Sequence, residues 1–148
     1  MSTMFPHTIT LYNITRKTDK LTMEDTFENH ITFLRGVLVD SAKSADVTED
    51  GTESADSVTV YIPFDVEAVN AENGKRQRYA TPRQWADAGR KSVLWTFNTD
   101  KTTFFVKGEN VRSFSSLAEI DEAEDTFMVT QVETKDFGDL QHWEVGGA

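Results

Sequence analysis

The sequence predicts a mainly β fold, a small antiparallel β-barrel or β-sandwich with one or two short helices and a long acidic loop. Short segments in which apolar and polar residues alternate recur six or seven times along the chain. They are separated by turns rather than by regular long helices, which argues against a doubly wound parallel sheet. With 148 residues, 38% of them hydrophobic, the chain can bury one core and is expected to form a single domain over 1–148.

The first three strands are predicted at residues 7–12, 30–39 and 57–62, where β-branched and other apolar residues alternate with polar ones. Residues 13–24 are polar and rich in turn formers, so they are expected to form a connection. Gly36 interrupts the second strand and predicts a bulge or bend there. Pro63 ends the third strand, because proline cannot donate a hydrogen bond to a ladder.

A short helix is predicted at residues 82–88 from the signals at its two ends. Thr81 suits the N-cap, Pro82 the first helical position and Gln84 the third position of a capping box. Gly89 suits the helix end. Trp85 is then expected on the buried side of the helix.

The remaining elements follow from similar patterns. Residues 92–97 and 102–107 predict two strands joined by a hairpin turn at 98–101. A second capping box, from Ser116 to Glu119, predicts a helix at 116–123.

The last part of the chain predicts two more strands. The strand at 126–134 is expected to carry Phe127, Val129, Gln131 and Glu133 on one side. A turn at 137–139 leads to a closing strand at 141–145. Residues 146–148, Gly-Gly-Ala, are expected to form a flexible tail.

Residues 40–56 carry six acidic side chains and one lysine, with Val47 as their one sizeable apolar residue. So little apolar surface cannot offset the entropy of ordering the segment, and a long mobile loop is expected. Loops of this length inside a domain are usually functional or disordered. Its acids are candidate contact residues: Asp40, Asp46, Glu49, Asp50, Glu53 and Asp56.

A basic strip lies between residues 75 and 91 and consists of Lys75, Arg76, Arg78, Arg83, Arg90 and Lys91. With Tyr79 and Trp85 it could contact nucleic acid, but a net charge of −10 favours a solvated face or an acidic protein partner. The strip matches the acidic loop in its number of charges. If the two lie on opposite flanks, neighbouring copies attract head to tail and can close into a ring.

The sequence assigns no catalytic, cofactor-binding or metal-binding residue, and no enzyme is expected. Without cysteine there is no thiolate zinc site, and His7, His30 and His142 lack the spacing of metal ligands. The stretch 46–51 resembles a calcium loop but fails the EF-hand pattern, and no Gly-x-Ser-x-Gly or glycine-rich phosphate loop occurs. No apolar run is long enough to cross a membrane, and no secretory signal is expected at the N-terminus.

Several segments, taken in order, resemble small structural proteins of tailed phages and prophages of Gram-positive bacteria. The segments are residues 5–13, 57–63, Tyr79, Pro82 with Trp85, Trp95-Thr96, 106–108 and 142–147. The most similar class is the head-closure or stopper protein of the siphophage neck, also called a minor capsid or head–tail connector protein. The resemblance covers the chain from about Phe5 to Gly147, and no single motif is diagnostic.

The resemblance implies a virion protein, made in the cytoplasm of the host bacterium and located at the neck. Stopper proteins resemble small β-barrels with long loops, and their copies form a homo-oligomeric ring between the portal and adaptor proteins and the tail-terminator. The loop at 40–56 is then expected to project into the lumen or towards a neighbouring subunit, and an acidic lumen suits the passage of packaged DNA without specific binding. Trp143 and Val145 could dock onto a partner ring, or belong to an ordinary last strand.

Other functions remain open at this point. A tail-terminator, tail-completion or tail-tube protein would belong to the same particle and use a similar barrel. A carbohydrate-binding β-sandwich would need exposed aromatic side chains in one plane, whereas the three tryptophans lie in patterns typical of buried residues.

Overall fold

The structure is a computed structural model that describes residues 5–43, 56–89, 93–122 and 126–148. It confirms the mainly β fold. The strands are β1 (His7–Thr18), β2 (Asp25–Lys43), β3 (Asp56–Pro63), β4 (Glu67–Asn70), β5 (Arg78–Tyr79), β6 (Leu94–Trp95), β7 (Thr103–Lys107), β8 (Thr126–Lys135) and β9 (His142–Gly147). The two short helices are α1 (Pro82–Asp87) and α2 (Leu117–Glu122).

Six strands pair in a closed antiparallel ring in the order β1–β7–β8–β9–β3–β2, and β2 pairs again with β1. β4 pairs with residues 32–35 of β2, and β5 and β6 form a separate parallel pair. Closing the sheet on itself removes the free edges that an open sheet would expose.

The barrel interior holds one core, to which each of the six ring strands contributes. Ile9 and Leu11 of β1, Phe105 of β7 and Val60 of β3 all belong to this core. A second core lies outside the barrel, where Phe114 and Ile120 pack over Tyr12 and the outer faces of β1 and β7. The two faces of β1 are therefore both buried, which explains its unbroken run of buried residues.

The bulge predicted at Gly36 is confirmed. Thr8 pairs with Arg35 and His7 with Val37, so Gly36 is the extra residue, and its φ of 90° is accessible to glycine. The bulge keeps Leu34 and Val37 both in the inner core although they are three residues apart. β2 therefore pairs with β4 before the bulge and with β3 after it.

The helix prediction at 82–88 is also confirmed. Thr81 caps α1, its hydroxyl accepts a hydrogen bond from Gln84 N, and the Gln84 side chain accepts one from Thr81 N. Trp85 is the buried residue of the helix. Glu119 N donates to the Ser116 hydroxyl at the start of α2, as the second capping box predicts.

Several strand boundaries were predicted too short. β1 continues to Thr18 and β2 begins at Asp25, so much of the predicted connection at 13–24 is a β-ladder. Polar residues pair there because both strands are solvent-exposed, and the backbone N–H and C=O groups of each strand find hydrogen-bond partners on the other. The predicted hairpin between 92–97 and 102–107 is wrong. β6 pairs with β5, because both edges of β7 are occupied by β1 and β8.

The predicted face of β8 is wrong beyond its midpoint. Phe127 and Val129 pack on the inner core as expected, but Val132 follows them rather than Gln131. Thr130 has no partner in the β8–β9 register, where Val129 pairs with Gly147 and Gln131 with Gly146. This bulge reverses the alternation of the side chains.

The predicted flexible tail at 146–148 is wrong, because β9 includes both glycines and lies between β3 and β8. Ala148 continues the pairing, and its backbone exchanges hydrogen bonds with Met128. Gly147 is buried against Phe105, where a Cβ atom would lie 2.6 Å from the ring. Glycine is needed here for its small size rather than for flexibility.

Candidate assembly surfaces

The β1–β2 ladder extends from the barrel as a hairpin arm, defined as residues 15–28. β7 pairs with β1 only as far as Asn13, so Thr15–Thr18 pair with β2 alone. Hydrogen bonds along the arm hold its side chains: Thr18 Oγ1 donates to Asp25 at 2.6 Å, and Thr26 Oγ1 to Lys17 O at 3.1 Å. The arm is therefore an ordered projection.

The tip of the arm, residues 19–24, is a closed turn with two exposed apolar side chains. Asp19 N donates to Glu24 O, Met23 N donates to Asp19 O, and the Asp19 carboxylate accepts from Leu21 N. Leu21 is 95% exposed and Met23 is 76% exposed. The sequence prediction missed this tip, although an apolar pair inside a polar turn was a usable signal.

The acidic candidates fall into two groups. Asp40 lies in β2 and Asp56 in β3, so the prediction that both belong to a loop is wrong; the ladder from Leu38↔Tyr61 to Lys43↔Asp56 includes them. Asp46, Glu49, Asp50 and Glu53 lie outside the described residues. In chain order these four residues lie between β2 and β3.

The described residues of the basic strip are spread from the edge of β4 to α1. Arg76 bridges to Val69 of β4 and Arg78 lies in β5; these two side chains, Lys75 and Arg83 are all exposed. Arg83 is on α1, whose Trp85 ring lies 5.1 Å from the ring of His30 at the base of the arm. Arg90 and Lys91 lie outside the described residues.

An open cavity of about 500 Å³ lies at the other end of the β1–β2 ladder. Its apolar walls come from Phe5, Pro63, Val66 and Leu140. The sequence prediction missed it, because these four residues are brought together only by the closure of the barrel around Gly36.

Charged residues also line this cavity. Arg35 donates to Glu109 at 2.7 Å and to Glu67 at 3.3 Å. Hydrogen bonds to these two carboxylates raise the pKa of Arg35, so its guanidinium stays charged. Asp65 has no ion-pair partner among the described residues, and it leaves a negative charge at the cavity.

A second cleft, of about 360 Å³, has His30 and Trp85 among its lining residues. Thr15 Oγ1 is 2.9 Å from His30 Nε2, and Glu28 lies 3.8 Å from the same nitrogen. A catalytic triad needs the hydroxyl and the carboxylate on opposite ring nitrogens, so this arrangement cannot relay a proton between them.

The remaining predicted residues are structural. Trp143 and Val145 are 5% and 2% exposed and pack in the inner core as part of β9, so their side chains form no exposed docking surface in this structure. His7 Nδ1 accepts from Val39 N, and His142 contacts Glu144 at 3.3 Å. Within the described ranges, no three His, Cys, Asp or Glu residues are grouped to hold a metal, and no helix is long and apolar enough to span a membrane.

Comparison with known proteins identifies a family without a known activity. No curated protein and no solved structure matches the chain. The profile of DUF6751, described as a family of unknown function, matches residues 4–148. The match spans the barrel, the hairpin arm and the last strand, and the chain therefore belongs to the DUF6751 family.

Proposed function

We propose that this protein is a structural subunit of a phage neck, of the head-closure or stopper type. In this proposal it assembles as a ring between the portal and adaptor proteins and the tail, and helps to retain and pass packaged DNA. The proposal starts from the resemblance of the sequence to neck proteins over residues 5–147. It is supported by the closed barrel with an ordered arm at one end and an open cavity at the other.

The position of the arm at one end and of the cavity at the other is the observation that best supports the proposal. A ring needs two different surfaces on each subunit, one for each neighbour. The exposed basic residues Lys75, Arg76, Arg78 and Arg83 offer a surface for such a contact. Their attraction to the acidic residues of 40–56 on a neighbouring copy is the head-to-tail contact that the sequence predicts.

Charge and burial favour this role over the alternatives. A net charge of −10 suits a channel wall that does not retain DNA phosphates. Trp85, Trp95 and Trp143 are all buried, which counts against a carbohydrate-binding platform of exposed aromatic rings. A tail-terminator, tail-completion or tail-tube protein would share the same features and differs in its position in the particle.

The test is to locate the protein in particles and to delete its reading frame from the phage or prophage that encodes it. We expect immunogold label at the junction of head and tail, and a deletion that leaves heads without joined tails and with lost DNA. Label along the whole tail would instead indicate a tail-tube protein. Particles that lack the protein, or a deletion strain with intact infective particles, would refute the proposal.

A further inference from the structure

The turn that follows β4 holds an asparagine that differs from the other five of the chain. All six asparagines lie in the described ranges, and Asn73 is the only exposed one, since the others are buried or half-buried. It is also the only one followed by a glycine, Gly74. A glycine nitrogen reaches the side-chain amide of the preceding asparagine easily, because no side chain stands in its way. The pair is therefore a candidate site of spontaneous deamidation.

The geometry of the turn leaves the pair open to solvent. Gly74 has a φ of 71°, and no atom of the described residues beyond its chain neighbours lies within 4 Å of where its Cβ would be. Lys75 N donates to Asn73 Oδ1 at 2.9 Å. This oxygen becomes negative when the Gly74 nitrogen attacks Asn73 Cγ, so a hydrogen-bond donor that stabilises the oxyanion is already in place.

The charges near the pair also favour the reaction. Lys75, Arg76 and Arg78 are exposed and have no ion-pair partner among the described residues. Glu72 is the only acidic residue between positions 68 and 78, so this stretch is net positive. Positive charge stabilises both anions of the pathway, the deprotonated Gly74 amide and the oxyanion on Asn73.

One hydrogen bond opposes the reaction. Gly74 N donates to Asn70 O at 2.9 Å and must leave this acceptor before it attacks. The bond belongs to a turn whose residues 72–75 are all exposed. Exposed turns open locally at a much lower free energy than that of global unfolding. The bond therefore slows the reaction, but the barrel need not unfold for the reaction to occur.

We propose that Asn73 deamidates in the folded protein through a cyclic imide with Gly74. Base removes the proton of Gly74 N, this nitrogen forms a bond to Asn73 Cγ, and the bond from Cγ to Nδ2 breaks. The departing nitrogen takes a proton from water and leaves as ammonia. Water then opens the imide at either carbonyl and gives aspartate or isoaspartate at position 73. Overall one water is consumed, one ammonia is released, and a carboxylate replaces a neutral amide.

The new carboxylate would stand two positions before Lys75 and three before Arg76, so it would reduce the positive charge of this surface. Isoaspartate would also add one carbon to the backbone of the turn. In the proposed ring this surface attracts the acidic residues of 40–56 on a neighbouring copy, and deamidation would weaken that contact as the protein ages. This consequence rests on the proposed function, whereas the modification itself does not.

Peptide mapping by mass spectrometry tests the modification on the folded native chain. The protein is kept at mildly alkaline pH for several weeks and sampled by tryptic digestion. The tryptic peptide 44–75 contains both Asn70 and Asn73, and its fragment ions locate the change at one of them. We expect aspartate and isoaspartate to accumulate at Asn73 while Asn70 and the other asparagines stay intact. Asn73→Gln should abolish the change in this peptide, because glutamine must close a larger ring.

Charge variants test the part played by the basic residues. Lys75→Gln combined with Arg76→Gln should slow the reaction severalfold, since the anions of the pathway lose their nearest positive charges. Lys20→Gln is the matched control, because it removes an exposed lysine from the arm tip instead. A double variant that reacts as fast as the native chain would contradict this part of the inference.

The consequence for assembly has its own test. Asn73→Asp carries the charge of the product on an unaltered backbone, and Asn73→Gln keeps the neutral amide. A synthetic peptide of residues 40–56 should bind Asn73→Asp more weakly than Asn73→Gln at low salt. Equal binding would show that deamidation does not control this contact.

Two outcomes would overturn the inference. If Asn73 stays intact in the folded chain and reacts only in urea, the hydrogen bond from Gly74 N blocks the reaction. If Asn70 and Asn73 react equally fast, the turn has no special reactivity. Failure of the proposed function is a separate result. A protein located at the neck with an inert Asn73 keeps its function and loses the modification, whereas a chain that deamidates but is absent from particles keeps the modification and loses the function.

Discussion

Gly147→Ala should destabilise the barrel, whereas Gly146→Ala should not. Both glycines lie in β9 and neither has a positive φ, so alanine can adopt either backbone conformation. The new Cβ at 147 would lie 2.6 and 2.7 Å from two ring atoms of Phe105, well inside the contact distance of about 3.5 Å. At 146 the nearest atom is Gln131 Cβ, at an ordinary 3.5 Å.

The size of the effect follows from two opposing contributions. Phe105 is fully buried, so its ring has no room to move away, and overpacking of this kind costs about 1–3 kcal/mol. Replacing glycine by alanine also lowers the entropy of the unfolded chain, which stabilises by about 0.4–1 kcal/mol. We therefore expect a net loss of about 1–2 kcal/mol for Gly147→Ala and a small gain for Gly146→Ala.

Urea unfolding followed by tryptophan fluorescence measures both variants on the same scale. At about 2–4 °C per kcal/mol for a chain of this size, Gly147→Ala should also melt about 2–8 °C lower. Phe105→Leu should recover part of the loss in the Gly147→Ala background, as a coupling energy between the two sites. Equal stability of the two alanine variants would refute the tight packing of the last strand.

Three further predictions concern local interactions. Thr96→Val should stabilise the protein by about 1 kcal/mol in urea unfolding, because the buried Thr96 hydroxyl has no hydrogen-bond partner among the described residues; a loss of stability would contradict this. Thr81→Ala should cost about 1 kcal/mol by removing the cap of α1, and Thr81→Ser should restore it. The hydrogen bond from Ser115 N lowers the pKa of Glu119, so its contribution to stability is present above the unfolded pKa of about 4.3 and is lost as pH falls towards the folded value. The urea midpoint of Glu119→Gln should therefore fall less than that of the native chain on acidification, and equal falls would refute this.

Local signals in the sequence predicted the elements that depend on local chemistry. The capping box of α1 and the bulge at Gly36 each require particular residue types, and both were found where the sequence placed them. The alternation of apolar residues predicted the β class because one face of each ring strand must enter the inner core.

The predictions that were wrong concern elements whose structure depends on residues far away along the chain. The bulge at Thr130 contains no glycine, so the sequence has no local signal for it. The inward face of β8 could therefore not be predicted beyond that residue. A hairpin turn at 98–101 is a local signal, but β7 was already paired on both edges by strands remote in sequence. Gly147 was interpreted as flexible because its requirement for a small residue comes from Phe105, which is far away along the chain.

The candidate surfaces divide in the same way. The charges of the basic strip and acidic segment are visible in the sequence, whereas the cavity exists only after Phe5, Pro63 and Leu140 meet in space. The arm tip could be predicted in part. Its apolar pair is visible, but its exposure follows from the length of the β1–β2 ladder.

The position of β9 between β3 and β8 has a consequence for biosynthesis. β9 follows β3 and β8 in the chain, so both strands are made before the strand that joins them, and the ring stays open until β9 is made. The edges of β3 and β8 are unpaired during that interval and can pair with other nascent chains. Slow codons or a stalled ribosome before His142 should therefore promote aggregation of the nascent chain.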